Sequence, residues 1–208
     1  MKVLLIASPT QQAEITMQMM QDGIELSVVQ ELIDVPAVVY DFCIDLLYVS
    51  EPNRVAQLKE TGAKQFIVNY VNGTLADLPE GFTRINGWNS FLQRKIVEAC
   101  TRNEDSKADV EGLFKLFNKD VEWLPDIIGF VSCRVISQII NEAYFSLDEK
   151  VSTKAEIDVA MKLGTNYPFG PFEWAEKIGI KNIRELLIKL SATEQRYQPA
   201  SLLIRESE

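Results

Sequence analysis

The chain has 208 residues, of which 47% are apolar and 25% charged, a balance that suits one large or two small globular domains and excludes disordered, collagen-like and mini-protein classes. Thirty acidic against 21 basic side chains leave a net charge of −9, which opposes non-specific attraction to nucleic acid or to an anionic membrane surface, and no basic patch stands against that charge. There is no histidine, so a His-dependent acid–base pair, a Ser-His-Asp triad, a Cys-His pair and a His-ligated zinc site cannot be built from this chain alone.

Cys43, Cys100 and Cys133 are widely spaced, odd in number and contain no C-x-x-C pair, and no basic, apolar, small-residue leader opens the sequence. The expectation is a reduced, cytoplasmic protein. Apolar runs such as residues 35–39 and 127–131 are far shorter than a membrane span, so no transmembrane helix is expected.

Residues 1–7 (MKVLLIA) form a continuous aliphatic run, which suits a strand buried on both faces. Residues 9–20 offer helix formers up to a breaker at Gly23, and residues 24–30 read as a second strand, the opening of a βαβ unit. The next strand is expected at residues 44–49, followed by a helix that begins around Ser50-Glu51-Pro52 and ends near Gly62, and by a strand at residues 64–71. Only the 13 residues 31–43, interrupted by Pro36, separate the second and third strands, too few for the two further crossovers of a complete doubly wound half-sheet. After a turn-rich passage (Asn72-Gly73, Pro79-Glu80-Gly81), residues 95–100 read as a strand and residues 105–117 as a helix with Val110, Leu113, Phe114 and Phe117 on one face. A short extended segment at residues 121–124 then precedes Pro125.

From Gly129 onward every element reads as helix, which places a domain boundary at residues 125–129 and divides the chain into 1–126 and 127–208. Residues 130–148 are apolar almost all round, the pattern of a helix buried by more than one partner. Thr153 and Glu156 fit a capping box for a helix running to Leu163 and stopped by Gly164. Tyr167-Pro168-Phe169-Gly170-Pro171-Phe172-Glu173-Trp174 makes a rigid apolar corner with Pro171 starting a helix, and Ile183, Leu186, Leu187 and Leu190 mark one more amphipathic helix.

Three stretches of this half, Gly129-Phe130-Val131-Ser132-Cys133-Arg134 leading to Asn141-Glu142-Ala143, residues 157–164 (IDVAMKLG) and residues 167–173 (YPFGPFE), resemble the C-terminal domain of the 3-hydroxyacyl-CoA dehydrogenases, as does the closing segment at 196–203 (RYQPASLL). The amino-terminal half is similar to a shortened form of the same family's NAD-binding domain. The resemblance implies an α/β plus all-α architecture: a truncated Rossmann-like parallel sheet at 1–126, then a helical dimerisation domain at 127–208. It also implies a link to fatty acid metabolism, a homodimer through the C-terminal helices and a cleft for acyl-CoA or another small ligand, with neither nucleic acid nor membrane as partner.

The family's site residues map onto altered positions. Its three fingerprint glycines fall on Ala7, Pro9 and Gln12. A Gln in the last position is expected to block close helix-on-strand packing, and Pro9 removes a backbone donor. Glu31 or Asp34 stands near the ribose-binding acid, with a plain surface carboxylate as the other reading. The catalytic His falls on Asn86, within Asn86-Gly87-Trp88-Asn89-Ser90, and its orienting Glu on Glu98. The substrate-orienting Asn becomes Cys133, and residues 69–72 lack the family's loop serine. Glu98 reads as a strand carboxylate facing solvent or a structural partner, or as a surviving catalytic acid; Cys133 reads as a packed thiol rather than a nucleophile. Trp88, Trp123 and Trp174 read as core or contact residues rather than a ligand pocket. An amide cannot accept a proton at neutral pH, so no cofactor is expected, NAD being implied by resemblance only, and dehydrogenase turnover is expected to be lost or impaired. The alternative is an active NAD-dependent oxidoreductase on a 3-hydroxyacyl-CoA or a related hydroxy acid.

Overall fold

The computed structural model describes residues 1–18 and 20–208 and divides into two compact units, Met1–Phe130 and Val131–Glu208. The first unit opens with β1 (Lys2–Ile6), α1 (Pro9–Ile15), β2 (Glu25–Val29), β3 (Phe42–Asp45) and α2 (Pro52–Glu60). It continues through β4 (Gln65–Asn69), β5 (Phe82–Ile85), β6 (Ile96–Thr101), α3 (Lys107–Leu116) and β7 (Asp120–Trp123). Seven strands form one sheet in the order β2-β1-β3-β4-β5-β6-β7, and every neighbouring pair is parallel except β5 with β6. This is a shortened Rossmann-like sheet: the chain passes from β2 over β1 to β3 with a single 3-10 turn at Leu32–Asp34, so the strand that lies outside β2 in the doubly wound order 3-2-1-4-5-6 is absent.

The aliphatic run of β1 is central because Val3, Leu4, Leu5 and Ile6 are all without solvent exposure and pack against neighbours on both faces. One apolar layer joins Leu5, Ile44, Ile67, Ile85 and Ala99 of the sheet to Val110, Leu113, Phe114 and Phe117, the helical face of α3 that the sequence spacing marks out. Each of these side chains other than Ala99 contributes about 1.5–3 kcal/mol on leaving water.

Several element boundaries depart from the sequence reading for identifiable reasons. The helix expected over residues 9–20 ends at Ile15, where Thr16 donates both its amide and its hydroxyl to the Gln12 carbonyl; Met19, inside that expectation, lies outside the described residues. The third strand lies earlier than 44–49, because Asp45 turns its carboxylate onto the Leu47 amide at 3.0 Å and the strand stops there. Strand β5 has no counterpart in the sequence reading, which passes over Phe82-Thr83-Arg84-Ile85 as part of a turn-rich passage.

Lys119, between α3 and β7, is 1% exposed and donates to the carbonyls of Leu92 at 2.5 Å and Arg94 at 2.9 Å. Burial lowers its pKa from 10.5 to about 8, with Glu14 opposing the shift. The folded state therefore releases this proton before the unfolded chain does. The resulting stabilisation is complete above the unfolded value and is lost as pH falls through about 8. Stability of the native protein relative to Lys119→Met should rise by roughly 3 kcal/mol between pH 8 and 10.5 in paired urea titrations. A flat difference over that window would show that the ammonium is hydrated in the fold.

The second unit contains α4 (Ser132–Asp148), α5 (Lys154–Thr165), α6 (Pro171–Ile178), α7 (Ile180–Ser191) and α8 (Ser201–Glu206), the last not anticipated as a helix from sequence. Thr153 caps α5 with the expected box: its hydroxyl accepts from the Glu156 amide while Glu156 accepts from the Thr153 amide at 3.1 Å. The helix runs through Gly164 to Thr165 and ends on Asn166 in the left-handed conformation, φ 56°, so Asn166 rather than Gly164 is the stop. Helix α4 is not buried all round: Cys133, Ser137, Ile140, Asn141 and Tyr144 face the bundle, whereas Val131 just before it and Val135 are about half exposed. Asp158 of α5 receives the Phe172 amide at 2.8 Å, fixing the rigid corner against α5, and Ile183, Leu186, Leu187 and Leu190 of α7 are all buried.

Candidate functional site

In an open α/β sheet, ligands sit outside the carboxyl ends of the strands where the chain leaves in opposite directions, which here is between β1 and β3. The residues at these ends are Ala7 to Gln11 after β1, Leu46 after β3, Asn69 at the end of β4 and Asn86-Gly87 after β5.

Ser8 caps α1, and the box closes through Gln11: the Ser8 hydroxyl accepts from the Gln11 amide at 3.2 Å, and the Gln11 side-chain oxygen accepts from the Ser8 amide at 3.1 Å. Among the first four backbone donors of this helix, those of Ser8 and Gln11 are therefore engaged and Pro9 has none, which leaves Thr10. Gln12 does not obstruct the packing of helix on strand, contrary to the sequence expectation; it points to solvent, and the residue turned inward is Gln11, 6% exposed. Its Nε2 donates to the Leu46 carbonyl at 2.9 Å and stands 3.5 Å from the Gly87 carbonyl. Asn69 donates to the same Leu46 carbonyl at 3.1 Å and accepts from the Gly87 amide at 3.0 Å. A Cβ added to Gly87 would lie 2.7 Å from the Asn69 Cβ and 3.0 Å from a Leu46 methyl, so only glycine fits between them.

Asn86 and Glu98 meet across the antiparallel pair β5–β6. The Asn86 amide nitrogen donates to Glu98 Oε2 at 2.8 Å, its oxygen accepts from the Trp88 amide at 3.3 Å, and its backbone amide donates to the Glu98 carbonyl at 2.9 Å. Glu98 is 7% exposed, which excludes the solvent-facing version of the strand reading. The arrangement orients an amide against a carboxylate, but an amide has no lone pair basic enough to take a proton near pH 7, so its chemistry is hydrogen bonding. The loop that follows is held by Glu14, which accepts from the Ser90 amide at 2.7 Å.

Glu31 and Asp34 are exposed, as the surface-carboxylate reading has them. Cys133 is fully buried in α4 of the second unit, and Trp88 and Trp174 are buried, whereas Trp123 donates to Glu111 at 2.6 Å. Among the described residues no cluster of three or more His, Cys, Asp or Glu could hold a metal ion, and no helix is long and apolar enough to cross a membrane. The sequence pattern does not mark Gln11 and Asn69 for these contacts. The one available signal was the S-x-x-Q spacing of Ser8 and Gln11, which marks a helix start and not the reach to Leu46.

Residues 129–206 match the family model for the C-terminal domain of 3-hydroxyacyl-CoA dehydrogenase. The 3-hydroxyadipyl-CoA dehydrogenase of Escherichia coli is 41% identical over 87 residues, 41% of this chain and 18% of its own length. The 3-hydroxybutyryl-CoA dehydrogenase of Bradyrhizobium diazoefficiens is 33% identical over 135 residues, 62% of this chain and 46% of its own. The matched stretches thus span less than half of either relative. The crystal structure of (S)-3-hydroxybutyryl-CoA dehydrogenase from Ralstonia eutropha superposes with a TM-score of 0.68 at 24% identity, covering 86% of this chain and 69% of that one, a likeness of fold. Residues 129–206 are thus similar to the C-terminal domain of the 3-hydroxyacyl-CoA dehydrogenases, and the sheet that precedes them shares the fold of the Ralstonia eutropha enzyme.

Proposed function

We propose that the chain is a 3-hydroxyacyl-CoA dehydrogenase-like protein in which NAD-dependent turnover is lost or strongly impaired, and which serves as a dimeric module for binding a small ligand, acyl-CoA by resemblance, or for regulation. The observation that carries this reading is Asn86: it occupies the hydrogen bond to the buried Glu98 carboxylate where the resemblance expects a proton-accepting His. General acid–base help is worth roughly 10²–10⁴ in rate, and the chain has no histidine to supply it from elsewhere. NAD does not fit the first turn either, because Pro9 offers no donor and the amides of Ser8 and Gln11 are already bonded. The 1–126 and 127–208 halves are assigned as a degenerate NAD-binding-type domain and a C-terminal domain, with Glu98, Asn86 and Cys133 at the family's active-site positions and Ala7, Pro9 and Gln12 at its fingerprint.

Dimerisation is assigned to the helical unit, where Val135, Val159 and the 83% exposed Leu163 leave apolar surface outside the bundle. The second reading, an active oxidoreductase, draws on one feature, the retained and buried Glu98. The two are separated by adding NADH with acetoacetyl-CoA. Silence predicts no loss of NADH absorbance above background and no rise in melting temperature with NAD; steady turnover would overturn it in favour of the enzyme. Sedimentation should give twice the monomer mass at micromolar concentration.

A further inference from the structure

The geometry points to Gln11 as an internal plug that, with Asn69, closes the dinucleotide crevice at the carboxyl ends of the strands, so that NAD is excluded by an occupant as well as by missing donors. This rests on the reading above and names the residue responsible. Three observations carry it. The side chain of a helical residue leans toward its own N-terminus, and in α1 that direction leads from Gln11 over the end of β1. There its amide is buried, 6% exposed, with the oxygen on the Ser8 amide and the nitrogen on the Leu46 carbonyl, 35 residues further along the chain. Asn69 continues the seam, bonding the same Leu46 carbonyl and the Gly87 amide, so that four strand ends, those of β1, β3, β4 and β5, are laced by two side-chain amides.

A diphosphate approaching the start of α1 needs bare backbone donors and space at the β1–β3 gap. Gln11 takes one of those donors with its oxygen and fills that space with its amide, satisfying polar groups that would otherwise wait for a ligand or water. The lost fingerprint glycines alone would leave a poor but open site. The plug makes it a closed one.

The test is calorimetric titration of NADH into the full-length protein and into Gln11→Ala, which keeps a helix-forming residue, and Gln11→Asn, which keeps the amide but is one methylene too short to reach Leu46. The native protein should give no measurable heat, and the variants should bind at least about tenfold more tightly than that detection limit. A variant that keeps its melting transition and circular dichroism yet gains no affinity overturns the plug and leaves the silent-enzyme reading standing, whereas a native protein that binds NADH and, once acetoacetyl-CoA is added as hydride acceptor, oxidises it overturns both. If neither variant folds, the native protein still decides: the Gln11 side-chain amide protons should exchange far more slowly by NMR than those of the exposed Gln12, and equal exchange would sink the assignment.

Discussion

Arg84→Met should cost about 3–5 kcal/mol of folding stability, read as a lower urea midpoint at an unchanged slope. Arg84 is wholly buried in β5, and its guanidinium is shared among four oxygens: Asp126 Oδ1 at 2.9 Å, the Gly73 and Ile127 carbonyls at 2.5 Å each and the Tyr70 carbonyl at 3.1 Å. The group also lies 4.2 Å over the Phe130 ring. Methionine preserves much of the apolar stem and none of the donors. Asp126, a third exposed, can rehydrate, so the loss comes chiefly from the three carbonyls left facing an apolar side chain. Arg84→Lys should recover less than half of it, because one ammonium cannot reproduce a planar fork. A loss below about 1 kcal/mol for Arg84→Met would mean that water enters and replaces the guanidinium.

The same residue explains why β5 was illegible. A buried strand announces itself by apolar run or alternation, and Phe82-Thr83-Arg84-Ile85 places a charge at a fully buried position. What makes that tolerable is Ile127, 43 residues further on, and no local pattern encodes such a partner. Where burial is apolar, the sequence is a sufficient guide: the aliphatic run of β1, the Val110-Leu113-Phe114-Phe117 face of α3 and the α7 stripe all follow from period alone. Capping chemistry is equally local, so the box of Thr153 with Glu156 is readable from four consecutive residues. The site divides along the same line. The resemblance marks Asn86 and Glu98, and the fold joins them across β5–β6; Gln11 acquires its role from Leu46 and Gly87, 35 and 76 residues away, a reach that no local pattern encodes.

Arg54→Met is the second large effect, with about 3 kcal/mol expected at pH 7. Arg54, in the first turn of α2, holds Asp45 at the end of β3 through two hydrogen bonds of 2.8 Å, and the Asp45 side chain has no solvent exposure. Burial pushes the Asp45 carboxyl above its ordinary 3.8, and the guanidinium opposes that push. Methionine removes the opposition, so in the variant the folded-state pKa rises further above that of the unfolded chain. The variant's folded state then takes up a proton that the unfolded chain does not yet bind, and its deficit against the native protein should narrow as pH falls from about 7 toward 5. Asp45→Asn combined with Arg54→Met should recover more than half of the loss at pH 7, because the cost lies in an unpaired buried charge and not in a missing contact. If the double variant is as unstable as Arg54→Met, the pair matters through packing of the Arg54 stem on the sheet, and the electrostatic account fails.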